Sequence, residues 1–174
     1  MRQDPTLAPW RELRERLGGY FVARARGLLG SELVLSSRSG EEFGRLRVHG
    51  SRGAELETGD TRTEIERTAR SRYVMVAGDA ETLVAELADP SGVLKVWCGS
   101  RLYEARLDLL RNAAVARSSG GEQAARIAGG LTNRSYEAFF DAADDGSLPV
   151  AVFLLYHTVA LRRRAFLARG SKDP

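Results

Sequence analysis

An apolar stretch near the C-terminus constrains the fold of this chain more than any other feature. Residues 148–161 read LPVAVFLLYHTVAL, apolar all round, and an arginine run follows at 162–164. Ser147 can cap a helix here and Pro149 suits its first turn. The pattern predicts a helix over 148–161, or to residue 168 if the arginines continue it. A helix that is hydrophobic on every face has to be buried on every face.

The amount of apolar surface excludes water as the surroundings of this helix. Its predicted core comprises Leu148, Val150, Val152, Phe153, Leu154, Leu155, Val159 and Leu161. Burying eight such side chains stabilises by at most about 12–24 kcal/mol in total. In lipid, residues 148–161 would rise only about 21 Å against a hydrocarbon core of about 30 Å. We therefore expect the helix to lie inside a curved sheet, with a membrane-inserted tail as the alternative.

From Tyr20 to Asp141 the chain consists of short stretches in which apolar and polar residues alternate, with Gly-rich turn signals about every ten residues. Segment 61–72 fits either a helix with a capping box or an edge strand, and the strands around it favour the latter. The count reaches about twelve strands. The sequence thus predicts a mainly β fold: an antiparallel barrel of about twelve strands around a central hydrophobic C-terminal helix, with a short N-terminal helix.

The length of 174 residues suits one such domain. We expect an N-terminal helix and linker over 1–19, the barrel with its helix over 20–168, and a disordered tail over 169–174. The N-terminal helix should span Thr6–Gly18, with Trp10 on its apolar face. It is expected to dock on the barrel or cap its end, and an interfacial membrane helix is the alternative.

The stretch AGGLTNRSYEAFFD at 128–141, then DDGSLPVA at 144–151 and the apolar helix, resembles the tubby C-terminal-like superfamily. That group includes tubby domains, phospholipid scramblases and LURP-one-related proteins. The resemblance extends over nearly the whole domain and implies a many-stranded barrel threaded by its C-terminal helix. It also implies a non-enzymatic binding module for anionic lipid headgroups or another phosphorylated ligand, because tubby domains bind phosphoinositides through basic residues.

Basic side chains are the candidates for such binding. The chain has 26 Lys+Arg, a net charge of +3 and a pI of about 9.3. The residues that could contact phosphate are Arg45, Arg47, Lys95, Arg162, Arg163 and Arg164. The expected partner is an anionic membrane surface or a phosphorylated small ligand. We expect a cytoplasmic protein, peripheral to a membrane, since the N-terminus lacks the apolar run of a signal peptide.

Two other functions stay open. Nucleic-acid binding through the arginines is less favoured, because acidic residues are interleaved and aromatic residues make up only 7% of the chain. A carrier of hydrophobic ligands would need an open barrel lumen, and therefore a helix that lies outside.

Catalytic and metal-binding patterns are weak, so we expect no enzyme activity and no cofactor. The chain has two histidines, His49 and His157, and one cysteine, Cys98, without the spacing of a zinc site. Scramblases have an acidic calcium-linked segment before their C-terminal helix. By that resemblance, Asp141, Asp144 and Asp145 are a calcium candidate. Their spacing does not match an EF-hand, and an acidic turn at a helix start is the favoured interpretation.

Overall fold

The computed structural model describes residues 4–27, 30–59, 61–88 and 92–170. Its strands form one closed antiparallel barrel in which each strand pairs with the next and β1 pairs with β12. The strands are β1 Tyr20–Arg26, β2 Glu32–Ser36, β3 Glu42–Val48, β4 Gly53–Thr58, β5 Thr61–Ala69, β6 Arg72–Ala77, β7 Ala80–Leu87, β8 Leu94–Cys98, β9 Arg101–Asp108, β10 Ala113–Ser118, β11 Gln123–Gly129 and β12 Ser135–Phe140. The predicted twelve-stranded barrel is confirmed, and the ambiguous segment 61–72 is a strand up to Ala69.

The C-terminal helix, α2, spans Ser147–Gly170 and lies in the barrel interior. Every residue from 146 to 160 is buried, so the predicted central helix is confirmed and the membrane-tail alternative is wrong. The helix passes the predicted end at residue 161 and ends close to the alternative at residue 168, because arginine is a good helix former and the helix continues into solvent. Leu161 is half-buried at the barrel rim and does not belong to the central core.

Small side chains explain where α2 sits within the barrel. The inward positions of β10, β11 and β12 are mainly alanines, including Ala114, Ala125 and Ala138, and α2 packs most closely against these three strands. On the opposite wall, β2 to β7 point larger side chains inward, such as Leu46 and Met75. Alanines let the helix backbone approach one wall, and the larger side chains fill the wider gap on the other side.

The N-terminal segment covers the end of the barrel where α2 begins. A short 3-10 turn, Pro5–Leu7, leads into α1, Ala8–Leu17, which Gly18 ends with a left-handed φ of 58°. Trp10 is only 3% exposed and packs into the same hydrophobic core as the barrel. The helix therefore caps the barrel, and Trp10 offers no membrane anchor.

The predicted tail over 169–174 overlaps the last two residues of α2, and residues 171–174 lie outside the described part of the chain. Ser147 does not cap the helix in the expected way. Its Oγ is a donor at hydrogen-bond distance from the carbonyl oxygens of Asp141 and Asp144, at 2.6 and 2.8 Å. The hydroxyl thus stabilises the turn that leads into the helix.

Candidate functional site

The antiparallel order of the strands divides the connections between the two ends of the barrel. At one end α2 begins, beneath the turn 141–146 and α1. At the other end α2 leaves, beside the β1–β2, β3–β4, β5–β6, β7–β8, β9–β10 and β11–β12 connections. We call the first the acidic end and the second the arginine end, after the side chains that each carries.

At the acidic end, Asp144 is held by three donors. The Arg101 guanidinium donates to Oδ1 over 2.6 Å, the Tyr103 hydroxyl over 2.8 Å, and the Gly146 amide over 3.0 Å. The Asp144 side chain is 9% exposed. Burial, and then the Asp144 carboxylate, raise the pKa of Tyr103 well above its usual range. This cluster joins β9 to the start of α2, so it fixes where the helix enters the barrel.

The neighbouring carboxylates are also engaged. Asp145 forms an ion pair with Arg14 of α1, whose side chain is only 10% exposed, and Asp141 accepts a hydrogen bond from the Ala143 amide over 2.9 Å. Among the residues that the structure describes, no group of three or more His, Cys, Asp or Glu is placed to hold a metal ion. The acidic turn predicted as a calcium candidate therefore ties the barrel, α1 and α2 together.

At the arginine end, Arg162 joins α2 to two connections. Its Nε donates to Asn133 Oδ1 over 2.9 Å in the β11–β12 connection, and a second guanidinium nitrogen donates to the carbonyl oxygen of Leu109 in the β9–β10 connection. It also lies 5.8 Å from the centre of the Phe166 ring. Arg162 thus positions the emerging helix through hydrogen bonds to neutral groups.

The next two arginines extend this positive surface. Arg163 is half-buried, and burial lowers the pKa of its guanidinium, whereas Arg164 is exposed. Within the described ranges, none of the three arginines 162–164 forms an ion pair with a carboxylate. The emerging turn of α2 therefore carries positive charges that no carboxylate of the described ranges pairs with.

Topology adds further arginines to this end that the sequence analysis missed. They are Arg26, Arg52, Arg67, Arg70, Arg72, Arg111 and Arg134. Among the residues that the structure describes, the acidic side chains at this end are fewer: Glu32, Glu55, Glu66, Glu86 and Asp108. Four of these five already pair with Arg47, Arg72 or Arg111. The cluster could have been predicted from the order of the strands, because every second connection of an up-and-down barrel lies at the same end.

Arg45 and Arg47 lie on the outer face of β3, where glutamates from the same and neighbouring strands surround them. Arg47 approaches Glu32 at 3.2 Å and Glu57 at 3.3 Å, and Arg45 approaches Glu42 at 2.7 Å. Hydrogen bonds to Glu32 and Glu42 are the largest cause of the raised pKa of Arg47 and Arg45, respectively. Arg47 pairs with cross-strand carboxylates and Arg45 pairs with a carboxylate of its own strand, so both are poorly placed to hold another anion.

Lys95 is exposed on β8, where Glu86 of β7 and Glu104 of β9 stand directly across from it. By register, Lys95 is level with Glu86 and Arg47 is level with Glu32, so both lie on the outer wall of the barrel near the arginine end, each opposite a glutamate. Arg162, Arg163 and Arg164 lie apart from this wall, on the emerging turn of α2.

Exposed apolar side chains gather at the arginine end as well. They are Leu87, Leu109, Leu110, Leu131, Phe166 and Leu167, and Leu110 and Leu131 are the most exposed at 90% and 97%. The other large exposed apolar residue of the described chain is Trp97, 38% exposed on β8. Arginines and exposed leucines thus share one surface.

The barrel interior provides no space for the carrier function, because α2 fills the lumen that a hydrophobic ligand would occupy. Within the described part of the chain, no helix is both long and apolar enough to traverse a lipid bilayer.

Cys98 and His157 are buried in the core, whereas His49 is exposed directly after β3. Burial raises the pKa of the Cys98 thiol far above its usual range, which removes the reactive thiolate. Burial, and then the charge of Arg67, lower the pKa of His157 to about 4. The His157 ring stacks on Phe153 at a centroid distance of 5.6 Å and meets Tyr73 edge-on at 5.2 Å. It is a packed core histidine.

Comparison with known proteins gives one structural match. No family model matches the chain, and no curated protein matches it. The X-ray structure of a protein from Arabidopsis thaliana aligns with a TM-score of 0.54 and 12% identity, and the alignment covers 79% of this chain and 90% of that one. The two proteins share a barrel fold. At this identity the likeness extends to the fold alone and assigns no function to the arginine end.

Proposed function

We propose that this protein is a non-enzymatic binding module of the tubby and LURP-one-related type that recognises anionic lipid headgroups through its arginine end. The observation that carries the proposal is the convergence of Arg162, Arg163 and Arg164 with loop arginines on one end of the barrel. The structural neighbour from Arabidopsis thaliana supports the barrel architecture of such a module, and the resemblance of residues 128–151 to the tubby C-terminal-like superfamily suggests its type.

The chemistry of the arginine end favours phosphate over other anions. Guanidinium groups offer several donors in a planar fork that matches phosphate oxygens, and phosphate retains negative charge at neutral pH. Exposed arginines such as Arg70 and Arg164 are free to reorient towards such a group. Each basic residue near an anionic membrane surface contributes about 1 kcal/mol to binding. Several together make a reversible, salt-sensitive association.

Co-sedimentation with vesicles tests the proposal. We expect the protein to sediment with vesicles of phosphatidylcholine mixed with phosphatidylserine and to remain in the supernatant with phosphatidylcholine alone. Reversing two exposed charges, Arg70→Glu with Arg164→Glu, should weaken binding at least about 30-fold, the value for loss of two such contributions. The matched control, Arg16→Glu with Arg38→Glu at the acidic end, changes the net charge equally and should bind like the unmodified protein.

Competition identifies the ligand class. A soluble inositol phosphate that displaces the protein from anionic vesicles would show that the arginines recognise a phosphorylated headgroup. Equal recovery with neutral and anionic vesicles, at low and at moderate salt, would contradict the proposal. A mobility shift with single- or double-stranded nucleic acid that the Arg70 and Arg164 reversals abolish, without binding to anionic vesicles, would assign the surface to nucleic acid instead.

A further inference from the structure

We infer that the arginine end is a membrane-docking face on which Leu110 and Leu131 enter the apolar layer of the bilayer while the surrounding arginines hold its headgroups. This inference rests on the proposed function and deepens it, because it makes the ligand part of an intact bilayer. The barrel would then stand on the membrane with the emerging turn of α2 directed towards the lipid.

The connections at the two ends have opposite character. At the acidic end, the described tips consist of small or polar residues, such as Arg38–Gly40, Gly78–Asp79 and Ser119–Gly121. At the arginine end, Leu110 and Leu131 occupy tips and are almost fully exposed. Exposed apolar side chains that gather at one end of a protein, among polar residues, are typical of an interaction surface.

A hydrogen-bonded platform holds the two leucine tips in place. Asn112 lies next to the first tip, and its Nδ2 donates to the Gly130 carbonyl over 2.8 Å and to Asn133 Oδ1 over 3.1 Å. Arg162 donates to the same Asn133 Oδ1, so α2 is bound to both connections. The tips are therefore fixed relative to each other and to the emerging helix.

The backbone of this platform contains two left-handed residues. Asn112 and Asn133 have φ angles of 52° and 55°, a region that asparagine adopts more readily than most residues with a side chain. Gly129 is required beneath them, because a Cβ there would lie 2.0 Å from Asn112 Nδ2 and 2.8 Å from the Tyr136 ring.

The emerging turn of α2 adds a third apolar element to the face. Phe166 and Leu167 are 56% and 78% exposed, next to the arginine run of the same helix. The Arg162 guanidinium lies over the Phe166 ring, a pairing that places a cation beside an apolar group at the surface. Long arginine side chains can keep their charge among headgroups while their aliphatic stems follow the apolar surface.

Charge identifies the partner as a bilayer. A second copy of this chain would bring two sets of arginines together, and their repulsion disfavours a symmetric pair. A free phosphorylated ligand would use the arginines but make no use of Leu110 or Leu131. An anionic bilayer complements both, because it offers negative headgroups above an apolar layer.

Two serine substitutions test the apolar part. We expect Leu110→Ser with Leu131→Ser to fold with an unchanged melting temperature, because both side chains are exposed. Binding to vesicles of phosphatidylcholine and phosphatidylserine should weaken at least tenfold, and the residual binding should be lost at moderate salt. Val22→Ser with Trp97→Ser removes two apolar side chains from the outer wall of the barrel, away from the arginine end, and this control should retain vesicle binding.

Fluorescence tests insertion directly. A tryptophan introduced as Leu110→Trp should be quenched by lipids brominated on their acyl chains, and one introduced as Ser119→Trp at the acidic end should not be. Salt-sensitive binding to anionic vesicles that the serine variant retains in full, with the new tryptophan unquenched, would overturn this inference and leave the proposed function standing. Absence of any vesicle binding would overturn both. A dimer in solution that the serine variant converts to a monomer would assign the face to self-association and overturn the inference.

Discussion

The acidic end and the arginine end of the barrel differ in whether their arginines are paired and their apolar side chains buried. At the acidic end, two arginines pair with carboxylates of the turn before α2, Arg101 with Asp144 and Arg14 with Asp145, and α1 buries its apolar side chains against the barrel. At the arginine end, Arg162 contacts only neutral partners among the described residues, and leucines stand exposed. One end is thus arranged for stability, and the other carries unsatisfied charge and apolar surface that suit an external partner.

The same contrast runs along α2 itself. Up to Ala160 every residue of the helix is buried, and from Arg164 the described side chains are exposed. If this division is correct, changes at the acidic end and in the buried part of α2 should reduce stability. Changes at the arginine end should alter binding and leave stability nearly unchanged.

Removing α2 should have the largest effect. A chain that ends at Ser147 loses the whole apolar filling of the barrel, worth more than the 5–15 kcal/mol of net stability usual for a domain. We expect no cooperative thermal unfolding by circular dichroism. The control is a chain that ends at Arg164, which removes only exposed helix and should unfold cooperatively within a few degrees of the full chain. Cooperative unfolding of the shorter chain would show that the barrel does not depend on α2.

Trp10→Ala should destabilise the protein by about 3–5 kcal/mol, as large-to-small changes in a core do. The side chain is buried between α1 and the barrel, and its indole nitrogen has no hydrogen-bond partner among the described residues. Trp10→Phe, which removes that unpaired N–H and keeps a ring, should cost less. Urea unfolding measures both variants against Phe166→Ala at the arginine end. If Phe166→Ala destabilised as strongly as Trp10→Ala, the proposed division between the ends would be incorrect.

Asp144→Ala should destabilise by about 2–3 kcal/mol, because it leaves the buried Tyr103 hydroxyl and the Arg101 guanidinium without their acceptor. Asp144→Asn, which keeps an oxygen acceptor, should be less damaging. The comparison is Glu42→Gln in the exposed Glu42–Arg45 pair, where we expect no measurable change in the urea midpoint. Calcium should not raise the melting temperature of the unmodified protein. A calcium-dependent increase that Asp144→Asn removes would restore the calcium interpretation.

His157 should make stability depend on pH with the smallest of these effects. Its pKa is lowered from 6.5 to about 4 in the folded protein, so the unfolded chain binds more protons between those values. Stability should therefore be complete above pH 6.5 and fall as the pH decreases, with a loss of about 2 kcal/mol by pH 5. His157→Phe, which keeps a ring against Phe153, should flatten the pH dependence in this range. An unchanged pH profile in that variant would assign the dependence to other groups.

The architecture of this protein follows from local patterns in its sequence. Alternation from Tyr20 onward predicts strands, and an apolar helix too short to span a bilayer predicts a core helix. Both inferences work because burial acts on each segment through its own periodicity. The end of α2 could not be predicted in the same way, since solvent tolerates a further turn of helix whether or not it packs on anything.

The candidate site, in contrast, was decided by tertiary structure. Arg162, Arg163 and Arg164 were recognisable as an arginine run, but Arg70 and Arg134 join them only because alternate connections of the barrel share an end. Likewise, Arg45 and Arg47 looked equivalent to them as charges, yet register places glutamates across from the β3 pair. The sequence alone gives only the charge of each side chain. Whether that charge is neutralised or presented to a partner depends on distances between residues far apart in the chain, and those distances exist only in the folded barrel.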